Sequence, residues 1–139
     1  MDRPHRLPDW QLPLMQYIAA RARTPVDPTR PVCAEFVAGA VEAMTGQPLA
    51  FDWQDRYETV TAGLRALRKA GHADHVAMAA SLFEEIPAAL ACPGDIAVLP
   101  GPDGVAALGI VQGAVIYVQS ENGIGAVPLT TATAAFRVP

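Results

Sequence analysis

Charge is scarce in this chain, and so are the residues that most often carry chemistry. Only 17% of its 139 residues are Asp, Glu, Lys or Arg, below the roughly 25% usual in globular domains. The 10 Lys and Arg are outnumbered by 14 Asp and Glu, which leaves a net charge of −4. The basic cluster at Arg65, Arg68 and Lys69 has the size of an ordinary solvated helix face, so no nucleic-acid partner is expected. There are two cysteines, Cys33 and Cys92, far apart and without CxxC spacing. That pattern supplies no cysteine metal site and forces no disulfide. Long apolar runs are missing too. The nearest, Gly104 to Val118, is broken by Gly109 and Gly113 and falls short of the roughly 18 residues a membrane helix needs, so no membrane insertion is expected. Asp2, Pro4 and Asp9 leave no apolar segment for a secretory signal, which points to a cytoplasmic chain or one delivered within an assembly.

What the chain does have is apolar content, 51% of its residues. A chain of this size buries roughly two-thirds of its unfolded surface, enough for a core without staples. Its many alanines inflate the hydrophobic count. With so little charge, the remaining surface is Ala, Gly, Pro, Thr and Gln, or is covered by a partner.

Apolar periodicity divides the chain in two. Trp10, Leu14, Tyr17, Ile18 and Ala22 recur at three- and four-residue spacing, which predicts a helix over 9–23 with Pro13 in its first turn. Pro25, Pro28 and Pro31 then hold an extended linker. A second helix, 32–45, places Cys33, Phe36, Val37, Ala40, Val41 and Met44 on one stripe and stops at Gly46. After an irregular stretch at 51–56, a third helix over 59–70 turns Leu64 and Leu67 inward. Asp74 caps a fourth that runs to Glu84, with Val76, Ala77, Ala80, Leu82 and Phe83 on its apolar side.

At Pro87 the period changes to that of strands: 96–99, 105–111, 115–119, 124–129, and a last edge strand at 136–138. They are separated by turns rich in Gly, Pro and Asn. There is no βαβ alternation and no internal repeat. The fold class expected is α+β, N-terminal helices packed on a small C-terminal antiparallel sheet or open barrel, as a single domain over 1–139.

Cys33 is the first candidate for chemistry. At the start of a helix, the unpaired N–H groups and the dipole favour a thiolate, and a nucleophilic cysteine also needs a base beside it. The competing reading is a core cysteine beside Phe36 and Val37. His5, in a segment expected to fray, His72, between two helices, and His75, in the first turn of the fourth helix, are the available bases. Solvated helix-end positions are expected for His72 and His75. Asp95 is expected to fix a turn through its side-chain oxygens. The acidic sets Asp52, Asp55, Glu58 and Glu84, Glu85 read as solvated faces, not metal ligands. Trp10 and Trp53 are core or partner anchors, and Gly123 with Gly125 reads as a turn. No cofactor or metal is implied.

Several segments carry a family resemblance. Val32-Cys33-Ala34-Glu35-Phe36-Val37 resembles the Asp-Cys-Ser-Gly-Phe-Val nucleophile motif of the NlpC/P60 cell-wall cysteine peptidases, which have a papain-like fold. Pro93-Gly94-Asp95-Ile96-Ala97-Val98 resembles that family's turn into its first central strand, and Ala107-Leu108-Gly109-Ile110-Val111 its His-Val-Gly-Ile-Tyr strand. Over nearly its whole length the chain resembles an uncharacterised family of phage and prophage proteins found among tail-assembly genes. The matching features are the Trp-containing first helix, Cys33 to Gly46, Arg65 to Arg68, and the ending Phe136 to Val138.

The departures bear on activity. Ala107 stands where the peptidase histidine is expected and Val32 where an acidic residue precedes the cysteine. The resemblance therefore implies a peptidase-related, inactive fold in a tail-tip or baseplate component, assembled in the bacterial cytoplasm and carried in a virion or tail-like particle. Its expected partners are other tail-tip or baseplate proteins. The alternative it implies is a thiol hydrolase cutting cell-wall peptides through Cys33, with His72 or His75 as base. A third is a module that binds cell-wall peptide without turnover.

Overall fold

The computed structural model of the chain describes residues 4–25, 32–47, 74–101, 104–120 and 122–139. The expected irregular stretch at 51–56 and the helix over 59–70 lie outside these residues, as do Pro28, Pro31, Trp53 and His72.

Helix α1, Gln11–Ala22, buries Leu14 and Ile18, and Pro13 falls in its first turn as expected. Helix α2, Val32–Thr45, buries the expected stripe of Phe36, Val37, Ala40, Val41 and Met44. It ends where Gly46 takes φ +71° and donates its N–H to Glu42 O at 2.8 Å, a conformation that favours glycine after a helix.

Helix α3, His75–Leu82, is capped as expected: the Asp74 carboxylate accepts from Ala77 N at 2.8 Å. The buried face differs in part from the expected one: Val76 and Leu82 pack against the main core and Phe83 is buried as expected, but His75, Met78 and Ala79 are buried too and Ala80 is exposed. The helix also stops two residues early, because Phe83 is already extended and Glu84–Ile86 forms strand β1.

The remaining strands are β2 (Ile96–Leu99), β3 (Ala107–Gln112), β4 (Val115–Ser120), β5 (Gly123–Pro128) and β6 (Ala134–Arg137). They form an antiparallel sheet in the order β1-β6-β2-β3-β4-β5. Among the described residues, β1 and β5 are its edges. The molecule is thus a small α+β domain with helices first and an antiparallel sheet last, and the sheet does not close into a barrel. The strand expectations are corrected in two places: the strand expected at 105–111 spans Ala107–Gln112, and the edge strand expected at 136–138 spans Ala134–Arg137 and is interior, pairing Phe136 with Glu85 of β1 on one side and with Ile96 of β2 on the other.

Alternation along the strands splits the side chains between two faces. Ile96, Val98, Leu108, Ile110 and Phe136 join Leu14, Phe36, Val37, Val41 and Met44 in the main core under the helices. Ala97, Leu99, Val111 and Ile116 form a second cluster on the other face.

Candidate functional site

Cys33 lies in the first turn of α2 with its side chain half-buried. It is more open than Phe36 and Val37, the core residues beside which the competing reading places it. Among the described residues no hydrogen bond joins its thiol to a histidine.

His75 does not occupy the solvated helix end expected for it. It is 6% exposed, on the buried face of α3. Burial pushes its imidazole down to about 4, with the neighbouring Asp74 carboxylate partly opposing that shift. The ring is therefore neutral at pH 7, and a base with so low a pKa is poorly matched to proton abstraction near neutrality. His5 is exposed.

The strand position that resembles a peptidase histidine also has a defined place. Ala107 packs against the second cluster, with Ala97, Leu99, Val111 and Ile116. Its neighbours Leu108 and Ile110 face the helices. A side chain at position 107 therefore leaves the sheet on the face opposite to the one α2 covers.

The acidic residues divide similarly. Asp52, Asp55 and Glu58 lie outside the described residues, and Glu84 and Glu85 are exposed on β1. Among the described residues, no group of three or more His, Cys, Asp or Glu is placed to hold a metal ion. Gly123 opens β5 at φ +115° and Gly125 lies within that strand, so only the first of the pair serves the turn.

The densest polar arrangement is the one around Asp95, whose side chain is buried. As expected from the Pro-Gly-Asp turn, its Oδ2 accepts from Cys92 N at 2.8 Å. Sequence reasoning missed what else reaches it. Val138 N donates to Oδ1 at 3.1 Å, and Arg6 Nη2 donates to the same oxygen at 2.9 Å. Arg6 spends its other donors on Val138 O (Nε, 2.8 Å) and Pro93 O (Nη1, 2.8 Å), and its guanidinium lies 4.2 Å from the centre of the Trp10 ring. Every bond points inward to the fold, so the arrangement holds chain segments together and leaves no acid free for chemistry. The signal for Asp95 was local. Nothing in the sequence pairs Arg6 with a residue 89 positions away.

A second feature missed is the seat of Tyr17. Its hydroxyl donates to Phe36 O at 2.9 Å and its ring stacks on Phe36 at 5.8 Å between centroids. Burial pushes its phenol up to about 12, which keeps it a donor. A Cβ on Gly39 would meet Tyr17 Cζ at 2.6 Å, so glycine at this helix position makes room for the ring.

The sequence model of the family described as Domain of unknown function (DUF6950) matches residues 5–138. The chain belongs to the DUF6950 family. The DUF6950 match takes in Cys33, His75 and both ends of the Arg6–Asp95 contact. Comparison with curated proteins returned no match.

Proposed function

We propose that this DUF6950 domain is a structural and assembly component of a phage tail or tail-like particle, in the tail-tip or baseplate region, with a peptidase-related fold that does not turn over substrate. The family resemblance of Cys33 to Gly46 and of Pro93 to Val98 motivates the setting. The helices-then-sheet order is compatible with an NlpC/P60-like, papain-like ancestry. The observation that carries the non-catalytic part is the disposition of the candidate positions for a base among the described residues: His75 is buried with a depressed pKa, and position 107 is an alanine on the sheet face away from α2. A thiolate without a general base has no efficient route to acyl transfer.

The test is co-purification of the full chain with each tail-tip and baseplate protein of its own particle, followed by reconstitution. Stoichiometric incorporation is expected. A chain that binds none of them contradicts the assembly role.

A second reading, a thiol hydrolase acting on cell-wall peptides through Cys33, draws on the half-buried thiol in the first turn of α2. Peptide release from purified cell wall, abolished in Cys33→Ala, would establish it. Saturable binding of cell-wall peptide without release would instead mark the domain as a binding module.

A further inference from the structure

The outer side of β5 presents a backbone pattern that is complementary to itself. Leu129 N donates to Ala114 O at 2.8 Å, immediately beyond the Val115–Pro128 pair. That bond sets the phase of the β4–β5 ladder. Ile124, Ala126 and Pro128 occupy the non-hydrogen-bonded positions, and their backbone groups point away from β4. Pro128 fits this phase, because its missing N–H falls on the outer side, where prolines of edge strands are found. The outer side therefore carries the N–H groups of Ile124 and Ala126 and the carbonyls of Ile124, Ala126 and Pro128. Among the described residues, no strand pairs with them.

The two edges of the sheet differ in charge. β1 bears exposed Glu84 and Glu85, the kind of guard that discourages strand addition. Gly123–Pro128 has no charged residue, and Gly125 and Ala126 are exposed.

We propose that β5 pairs with β5 of a second copy of this chain, antiparallel about a two-fold axis, so that the sheet continues through a homodimer. Placing Ala126 opposite its own copy uses all the outward donors, two from each chain. Each Ala126 N–H meets the other Ala126 carbonyl, and each Ile124 N–H meets the other Pro128 carbonyl. Proline is a defect opposite most strands, but in this register only its carbonyl is essential. No like charges oppose one another within the paired strands, whereas β1 pairing with its own copy would set glutamates against glutamates. The match of the strand to itself, in hydrogen bonding and in charge, selects a second copy as the occupant.

The full chain, reduced to keep Cys33 and Cys92 as thiols, is followed by sedimentation equilibrium over a wide concentration range. A monomer–dimer equilibrium is expected. Ala126→Glu, with an unchanged thermal midpoint, is expected to be monomeric, as is Ala126→Lys, and an equimolar mixture of the two is expected to dimerise. Ala126→Pro removes one outward donor from each copy and weakens association by about tenfold or more. A wild-type chain that stays monomeric, variants that associate like wild type, or a charge-swapped mixture that stays monomeric each overturn the pairing. Should the proline variant not fold, the Glu and Lys variants decide alone. None of these outcomes depends on the assembly role proposed above.

Discussion

Arg6 Nη2 lies 2.9 Å from Asp95 Oδ1, and this contact ties the start of the chain to the turn that opens β2. Residues 6 and 7, in the segment expected to fray, are held: Arg6 N donates to Pro139 O at 2.7 Å and Leu7 N to Met44 O at 2.8 Å. Asp95 is fully buried, so removing its partners strands a carboxylate away from water.

Asp95→Ala is expected to destabilise the domain by about 3–5 kcal/mol, since it leaves Arg6, Cys92 N and Val138 N without their acceptor. Arg6→Ala is expected to cost less, about 2–3 kcal/mol, because two backbone donors stay on Asp95 and Arg137 Nε remains 3.9 Å from its Oδ2. Urea unfolding checks both. The midpoint should fall with the slope unchanged, and a midpoint shared with wild type would remove this contact from the account of stability.

Gly39→Ala tests the seat of Tyr17. In an exposed helix, alanine is favoured over glycine by about 1 kcal/mol. Here the added methyl runs into the Tyr17 ring and hydroxyl, so the variant is expected to lose about 1–3 kcal/mol instead. In a Tyr17→Leu background the same substitution should cost much less, because the ring is gone. A double-mutant cycle in thermal or urea unfolding reads that coupling, and additive effects would argue against the clash.

How far the sequence predicts this molecule depends on the range of the forces involved. The α2 stripe from Phe36 to Met44, its stop at Gly46 and the cap at Asp74 are local features, and each appears where periodicity and capping place it. The β2 bounds are reproduced for the same reason. Strand β1 was missed because Glu84-Glu85-Ile86 is too short to alternate and continues an apolar helix. It becomes a strand through pairing with β6. The burial of His75 was equally invisible, because a histidine at a helix start is usually wet and only the packing of α3 makes it otherwise. Cys33 was legible as a helix-start residue, but its partial burial and the face occupied by Ala107 follow from how α2 lies on the sheet.

Cys33 alkylation separates a resting thiol from a catalytic one. In Cys92→Ser protein, iodoacetamide is expected to modify folded Cys33 about tenfold more slowly than unfolded Cys33, since the thiol is half-buried and the described histidines make no hydrogen bond to it. Mass spectrometry of timed samples, with and without urea, gives both rates. Faster reaction in the folded protein at pH 6 would contradict the non-catalytic proposal and favour the hydrolase.

His75 makes stability depend on pH in a defined window. A solvated histidine titrates near 6.5, whereas folded His75 titrates at about 4, so folding expels its proton between those values. Above pH 6.5 both states are neutral and the contribution is complete. As pH falls below 6.5, the unfolded chain takes up the proton first, and stability drops until the folded form is also protonated near pH 4. At about 1.4 kcal/mol per pH unit, the loss across that window is about 3 kcal/mol. His75→Gln should therefore show a shallower fall in unfolding free energy between pH 7 and pH 4 than wild type, whatever its stability at pH 7. Asp74→Asn retains a side-chain oxygen for the cap but removes the charge that opposes the depression, so its fall should be steeper. Urea titrations at half-unit pH intervals resolve all three slopes. If wild type and His75→Gln lose stability in parallel, the linked proton belongs to another group and His75 is not held neutral by its burial.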